Sequence, residues 1–156
     1  MTSSKNNRGT RVIAGALLIQ LSLGAIYAWS VFAKPLQDQG WSTAETQWPF
    51  TVGLVTFALV MVYAGRKLYV FGPRKLTIAG GIMLGAGYLL AGASGGESFW
   101  PVLIGVGLLG GAGIGLGYVV PIAVGMQWFP DKKGLITGIA VAGFGLGAMI
   151  WVKLAG

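Results

Sequence analysis

The sequence predicts an all-α integral membrane protein with five transmembrane helices, and three observations carry that prediction. Hydrophobic residues make up 54% of the 156 and charged residues only 10%, against roughly 25% charged in soluble domains. So few charges cannot cover a soluble surface, whereas a lipid-facing surface needs none. The hydrophobic residues fall into five runs that reach, or nearly reach, the roughly 20 residues a helix needs to cross a bilayer core of about 30 Å. The basic residues lie outside the middles of those runs, in the amino-terminal tail, in the short connections and at the ends of the last run.

The first span is predicted at 12–33, behind a tail, residues 1–11, that carries Lys5, Arg8 and Arg11. Its 22 residues exceed the roughly 7 to 15 of a signal-peptide core, and four more spans follow, so it is read as a retained helix. The second span, 43–64, starts at Ser42-Thr-Ala-Glu45, a capping box in which Ser and Glu satisfy each other's free backbone donors. Pro49 then falls about two turns in, as a kink. The third span runs over 76–93. The fourth, 99–128, is longer than a span needs, so it is tilted, bent at Pro121 or extended beyond the membrane surface. The fifth covers 132–154, with Asp131 as N-cap after Pro130.

Cytoplasmic connections carry the Lys and Arg excess. With the N-terminus inside, Lys5, Arg8, Arg11, Arg66, Lys67, Arg74, Lys75, Lys132 and Lys133 share one side, and only Lys34 and Lys153 fall on the other. Nine against two places the N-terminus in the cytoplasm of a multi-pass protein of the cell's inner (plasma) membrane. The net charge of +7 is accounted for by this bias. It does not form the clustered basic face of a soluble nucleic-acid-binding module, and no nucleic-acid partner is expected.

The chain has no Cys and no His. Thiolate metal sites, zinc and haem ligation, and Ser-His or Cys-His nucleophilic catalysis therefore lack their raw material. No Asp or Glu lies within an apolar core either, so the proton relays that carriers commonly build from intramembrane carboxylates have no obvious group here. No cofactor and no metal is expected, and an enzyme is the least favoured class.

Gly65-Arg66, followed by Gly72-Pro73-Arg74-Lys75, resembles the loop between the second and third helices of the major facilitator superfamily. Leu23-Gly-Ala-Ile-Tyr-Ala-Trp-Ser-Val-Phe32 with Pro35 looks like the first helix of its oxalate/formate antiporter family. Gly113-Ile-Gly-Leu-Gly-Tyr118, with Trp128-Phe-Pro-Asp-Lys-Lys-Gly134 and the stretch Gly138 to Gly147, looks like that family's fourth and fifth helices. The resemblance covers the chain from about Val12 onward. It implies five helices of a six-helix major facilitator half, hence the amino-terminal part of a transporter of small organic anions such as oxalate, formate or other monocarboxylates by alternating access. The carboxy-terminal half is then a missing partner, and substrate sites in such folds lie between the halves. At the acidic position of the loop this chain has Tyr69, followed by Val70 where a basic residue is usual, so the cytoplasmic latch built there lacks its acid.

Ala16, Gln20, Gly24 and Tyr27 share one face of the first span at steps of four, four and three. A Gln and a Tyr hydroxyl in mid-membrane must find polar partners or water, so that face points inward. Gln20 either meets substrate or hydrogen-bonds a neighbouring helix as structural glue. Trp29, nearly opposite, reads as a packing or interface residue. The resemblance places Tyr27, Tyr118 and the aromatic ring of Phe144 at the transport cavity. Gly107, Gly111 and Gly115 form a stripe ending at Tyr118, and with Gly81-x-x-x-Gly85 and Gly113-x-x-x-Gly117 they read as close-packing motifs. The alternative to a transporter fragment is a self-contained five-helix scaffold, or a small oligomeric channel assembled through such stripes.

Overall fold

The structure, a computed structural model, describes residues 2–155, with side chains over 9–154. The described residues are helical with short connections and contain no strand. The first span comprises α1 (Thr2–Leu23), a 3-10 segment (Gly24–Ala28) and α2 (Trp29–Asp38). The second is α3 (Thr43–Phe71) and the third α4 (Pro73–Ala93). The fourth runs through α5 (Phe99–Val102), a π-helical segment (Leu103–Gly110) and α6 (Gly111–Trp128). A 3-10 turn (Pro130–Lys132) then leads into α7 (Lys133–Ala155), the fifth. All five are long and apolar enough to cross a membrane.

Local chemistry sets several boundaries. The Ser42 side chain accepts from the Glu45 backbone N–H, and Glu45 Oε2 accepts from the Ser42 N–H at 2.8 Å, so α3 opens on the expected capping box. Helix α3 continues through the Arg66-Lys67 stretch to Phe71, and α4 starts at Pro73. The basic connection is therefore one residue, Gly72, at φ 79°. Glycine accepts that left-handed backbone without steric cost, and proline suits the first helical position because it has no N–H left unpaired. Asp131 lies inside the 3-10 turn ahead of α7, where an N-cap was expected. Helix α1 extends back to Thr2, through the stretch expected as a tail.

The fourth span is the centre of the bundle. Its π segment and α6 pack against both α3 and α4, while α1 and the first 3-10 segment pack against α7, and α1 also against α6. Glycines make these approaches possible. Gly107, Gly111 and Gly115 face α3, where an added Cβ on each would fall 3.3 Å from the Pro49 carbonyl oxygen, 2.5 Å from that of Gly53 and 2.8 Å from that of Phe57. Gly105 and Gly113 face α4 and meet the Gly87 and Gly80 carbonyls in the same way. Gly81 and Gly85 meet nothing within 4 Å. The third-span stripe expected to pack close thus faces outward, and its neighbours Gly80 and Gly87 do the packing.

The outward surface is apolar: Leu18, Leu59, Ile82, Leu89 and Leu154 are all exposed, as lipid contact requires. Residues 39–42 and 94–98 lie at one end of the bundle, and Gly72 with 129–132 at the other. Because the chain has no cysteine, single cysteines report sidedness directly. Cysteines replacing Gln39 and Ser98 are expected to react with an impermeant thiol reagent outside sealed cells, and those replacing Val70 and Lys133 to stay protected. Labelling of the second pair from outside would refute the orientation read from the charges.

Candidate functional site: an aromatic wall across four spans

Four spans contribute rings to one cluster. Tyr27, in the 3-10 segment, stands 5.3 Å from Phe144 on α7 with the rings edge to face, and 6.3 Å from Phe50 on α3. Tyr118, on α6, stands edge to face with both Phe144 at 5.1 Å and Phe57 on α3 at 5.3 Å. Such tilted contacts set the positive ring edge against the negative face of its neighbour and add about 0.5–1.5 kcal/mol each beyond burial. Phe144 is 7% exposed and forms the base of the cluster, whereas Tyr27 remains 44% exposed and Tyr118 is half-buried. Neither tyrosine hydroxyl hydrogen-bonds another described residue.

Gln20 is fully buried. Its Nε2 donates to the Tyr118 carbonyl oxygen at 3.2 Å, which ties α1 to α6 beside the ring of Tyr118. Its Oε1 is buried and has no partner among the described residues. Of the two roles open to it, this geometry supplies the interhelical bond, and the free acceptor leaves capacity for a second.

Trp29 makes no ring contact with Tyr27, Tyr118, Phe144 or Phe57 and is buried in protein, in a core cluster against which Phe50 also packs. Its Nε1 donates to the Thr46 carbonyl at 2.7 Å, and Thr46 Oγ1 in turn donates to the Thr43 carbonyl at 2.8 Å and accepts from Gln37 Nε2 at 3.3 Å. Near it, between α2, the end of α4 and the start of the fourth span, is a cavity of about 480 Å³. Its walls are mostly apolar, with Gln39 and Tyr88 among the few polar contributors. None of the five clustered rings lines it.

The structure thus brings Tyr27, Tyr118, Phe144 and Gln20 into one neighbourhood. Gly65, Arg66, Gly72, Pro73, Arg74 and Lys75 lie apart from it, at the connection between α3 and α4. Phe50 and Phe57 were missed in the sequence. Their seven-residue spacing puts them on one face of α3, but a Phe in an apolar span is ordinary enough that the spacing alone does not stand out.

Residues 12–156 match the Major Facilitator Superfamily. The chain belongs to that superfamily. It is 33% identical over 153 residues to the uncharacterized MFS-type transporter YhjX of Escherichia coli K12, covering 96% of this chain and 37% of that protein. It is 34% identical over 154 residues to the oxalate:formate antiporter of Oxalobacter formigenes, covering 98% and 36%. Toxoplasma gondii apicoplast pyruvate carrier 1 is 25% identical over 202 residues, covering 97% and 35%. The major facilitator chain described here therefore spans about a third of the length of these curated relatives.

Proposed function

We propose that this chain is the amino-terminal part of an alternating-access carrier, an antiporter or a related transporter, for small organic anions such as oxalate, formate or other monocarboxylates. The orientation inferred from the charge bias puts its N-terminus in the cytoplasm. The aromatic wall is the observation that carries the reading. Tyr27 and Tyr118 offer hydroxyl donors beside an apolar floor of Phe144 and Phe57, in a cluster that contains no charged side chain. Such a wall orients and desolvates a small carboxylate but does not neutralise it, so the compensating cations belong to the remainder of the carrier. The channel alternative relies on glycine stripes for assembly, yet the fourth-span stripes are used inside this chain.

The test is substrate affinity in a carrier completed with a carboxy-terminal half, with oxalate and formate as probes. A buried hydrogen bond to a charged group is worth about 1.5–3 kcal/mol, so Tyr27→Phe and Tyr118→Phe should each weaken affinity roughly tenfold or more. Trp29→Phe, away from the cluster, should leave it within about twofold. Unchanged affinity in both tyrosine variants, with loss in the tryptophan variant, would mean that the wrong face of the first span has been assigned to the substrate.

A further inference from the structure

From the aromatic wall to the end that carries Gln39, outer in the orientation read from the charges, the first span keeps one polar face. Tyr27, Ser30, Lys34 and Asp38 follow one another at steps of three, four and four, the spacing of a single helix face. All four are exposed. Trp29 and Leu36, on the opposite side of the same segment, are each 8% exposed and pack with Val102 and Val106 of the fourth span. Lys34 therefore shares the face of Tyr27, whose ring meets Phe144 of α7 and Phe50 of α3.

The side chains of Tyr27, Ser30 and Lys34 make no hydrogen bond or ion pair with another described residue. Against lipid they would stay unsatisfied, which is costly, so this face borders water from the outer end down to the wall. Asp38 is the one acid on it. Of the other charges at this end, Glu45 is taken up by Ser42 in the capping box, and Glu97 lies in the 94–98 connection. Lys153 follows Phe144 by nine residues on α7, which at 3.6 residues per turn puts it on the side away from that ring. Lys34 is thus the cation on the wall's own face. It stands seven residues beyond Tyr27, about 10 Å along the axis at 1.5 Å per residue. At that distance in water one positive charge raises the local concentration of a monoanion about twofold and of a dianion about fourfold.

We propose that Lys34 is the capture residue for small organic anions entering from the outer end, drawing them past Ser30 onto the aromatic wall. This rests on the reading of that wall as an anion site, and it adds the step that precedes binding there. Lys34 sits too far from the rings to neutralise a bound carboxylate, so it acts on arrival and not on grip. Because the attraction scales with ligand charge, it also favours oxalate over formate.

Two measurements test it. In this chain in sealed vesicles, Ser30→Cys is labelled from the side on which Gln39→Cys reacts, with an anionic and a cationic methanethiosulfonate reagent of like size. Ser30 and Lys34 are one turn apart, about 6 Å, so adding Lys34→Gln should lower the anionic-to-cationic rate ratio about tenfold at low salt. Lys34→Arg should leave the ratio unchanged. At about 1 M salt, where the screening length is about 3 Å, the variants should converge. In a carrier completed with a carboxy-terminal half, Lys34→Gln should slow initial uptake of dilute oxalate about fourfold and of formate about twofold at low salt. An unreactive Ser30→Cys, or a rate ratio that Lys34→Gln does not move, overturns the proposal. So does an uptake loss that is equal for the two anions or persists at high salt, because a packing role responds to neither ligand charge nor screening. Uptake of neither anion with Lys34 intact, beside a salt-sensitive rate ratio at Ser30, would refute the substrate reading instead and leave the attraction of anions to this face standing.

Discussion

Gly111→Leu is expected to separate α3 from the fourth span and abolish the folded bundle, while Gly81→Leu leaves it intact. At Gly111 an added Cβ alone would fall 2.5 Å from the Gly53 carbonyl oxygen and 3.0 Å from Gly53 Cα. Both atoms belong to a helix backbone that cannot turn aside as a side chain can. Overpacking usually costs about 1–3 kcal/mol where side chains can shift, and here the helices themselves must part. Because Gly107 and Gly115 sit on the same contact with α3, the separation spreads along the whole stripe. At Gly81, where nothing lies within 4 Å, a leucine joins an apolar outer surface, and the change should stay within about 0.5 kcal/mol. Thermal unfolding and size-exclusion profiles of both variants in one detergent measure the contrast. Equal behaviour of the two would show that the fourth-span glycines are not where the helices meet.

The same glycines show which parts of the fold were legible in the sequence. Span number and the capping box at Ser42 are local matters of length and side-chain reach, so the residues themselves announce them, whereas the connection expected over 65–75 narrows to Gly72 because α3 runs on to Phe71. The π segment is different. Its residues read as an ordinary apolar helix, but Gly105 must seat on Gly87 of α4 while Gly107 and Gly111 seat on α3. The wider turn goes with seating two partners at once, and the sequence of one span does not contain its neighbours. The 3-10 break at Gly24–Ala28 is similar, since it coincides with the place where the α7 backbone closes onto Gly24. Within the candidate site, Tyr27, Tyr118 and Phe144 entered through likeness to a family, and the buried face of Gln20 through helical spacing. The phenylalanines of α3 carried no signal, because nothing in an apolar span tells a ring that faces its neighbours from one that faces lipid.

Trp29 is where that ambiguity has the largest energetic consequence. Helical spacing sets it opposite Tyr27, which fits either a ring anchored at the membrane interface or a ring packed in the protein, and the two differ sharply in what truncation does. The structure has it 8% exposed, against 68% for Trp100, with its indole N–H bonded to the Thr46 carbonyl and its ring among Leu36, Val102 and Val106. Trp29→Ala therefore opens a void and removes a buried hydrogen bond together, at an expected cost of about 3–5 kcal/mol. Trp29→Phe retains most of the packing and loses chiefly the hydrogen bond, whose net worth is about 0.5–1.5 kcal/mol. Trp100→Ala should stay within about 0.5 kcal/mol. Unfolding of the three variants in a common detergent orders them, and a Trp29→Ala cost no larger than that of Trp100→Ala would return Trp29 to the interface. The bond also joins the residue just after the 3-10 break to α3, which carries Phe50 and Phe57. Loosening it at Trp29→Ala should therefore broaden the signals of Tyr27 while Tyr118, held separately through Gln20, keeps its own.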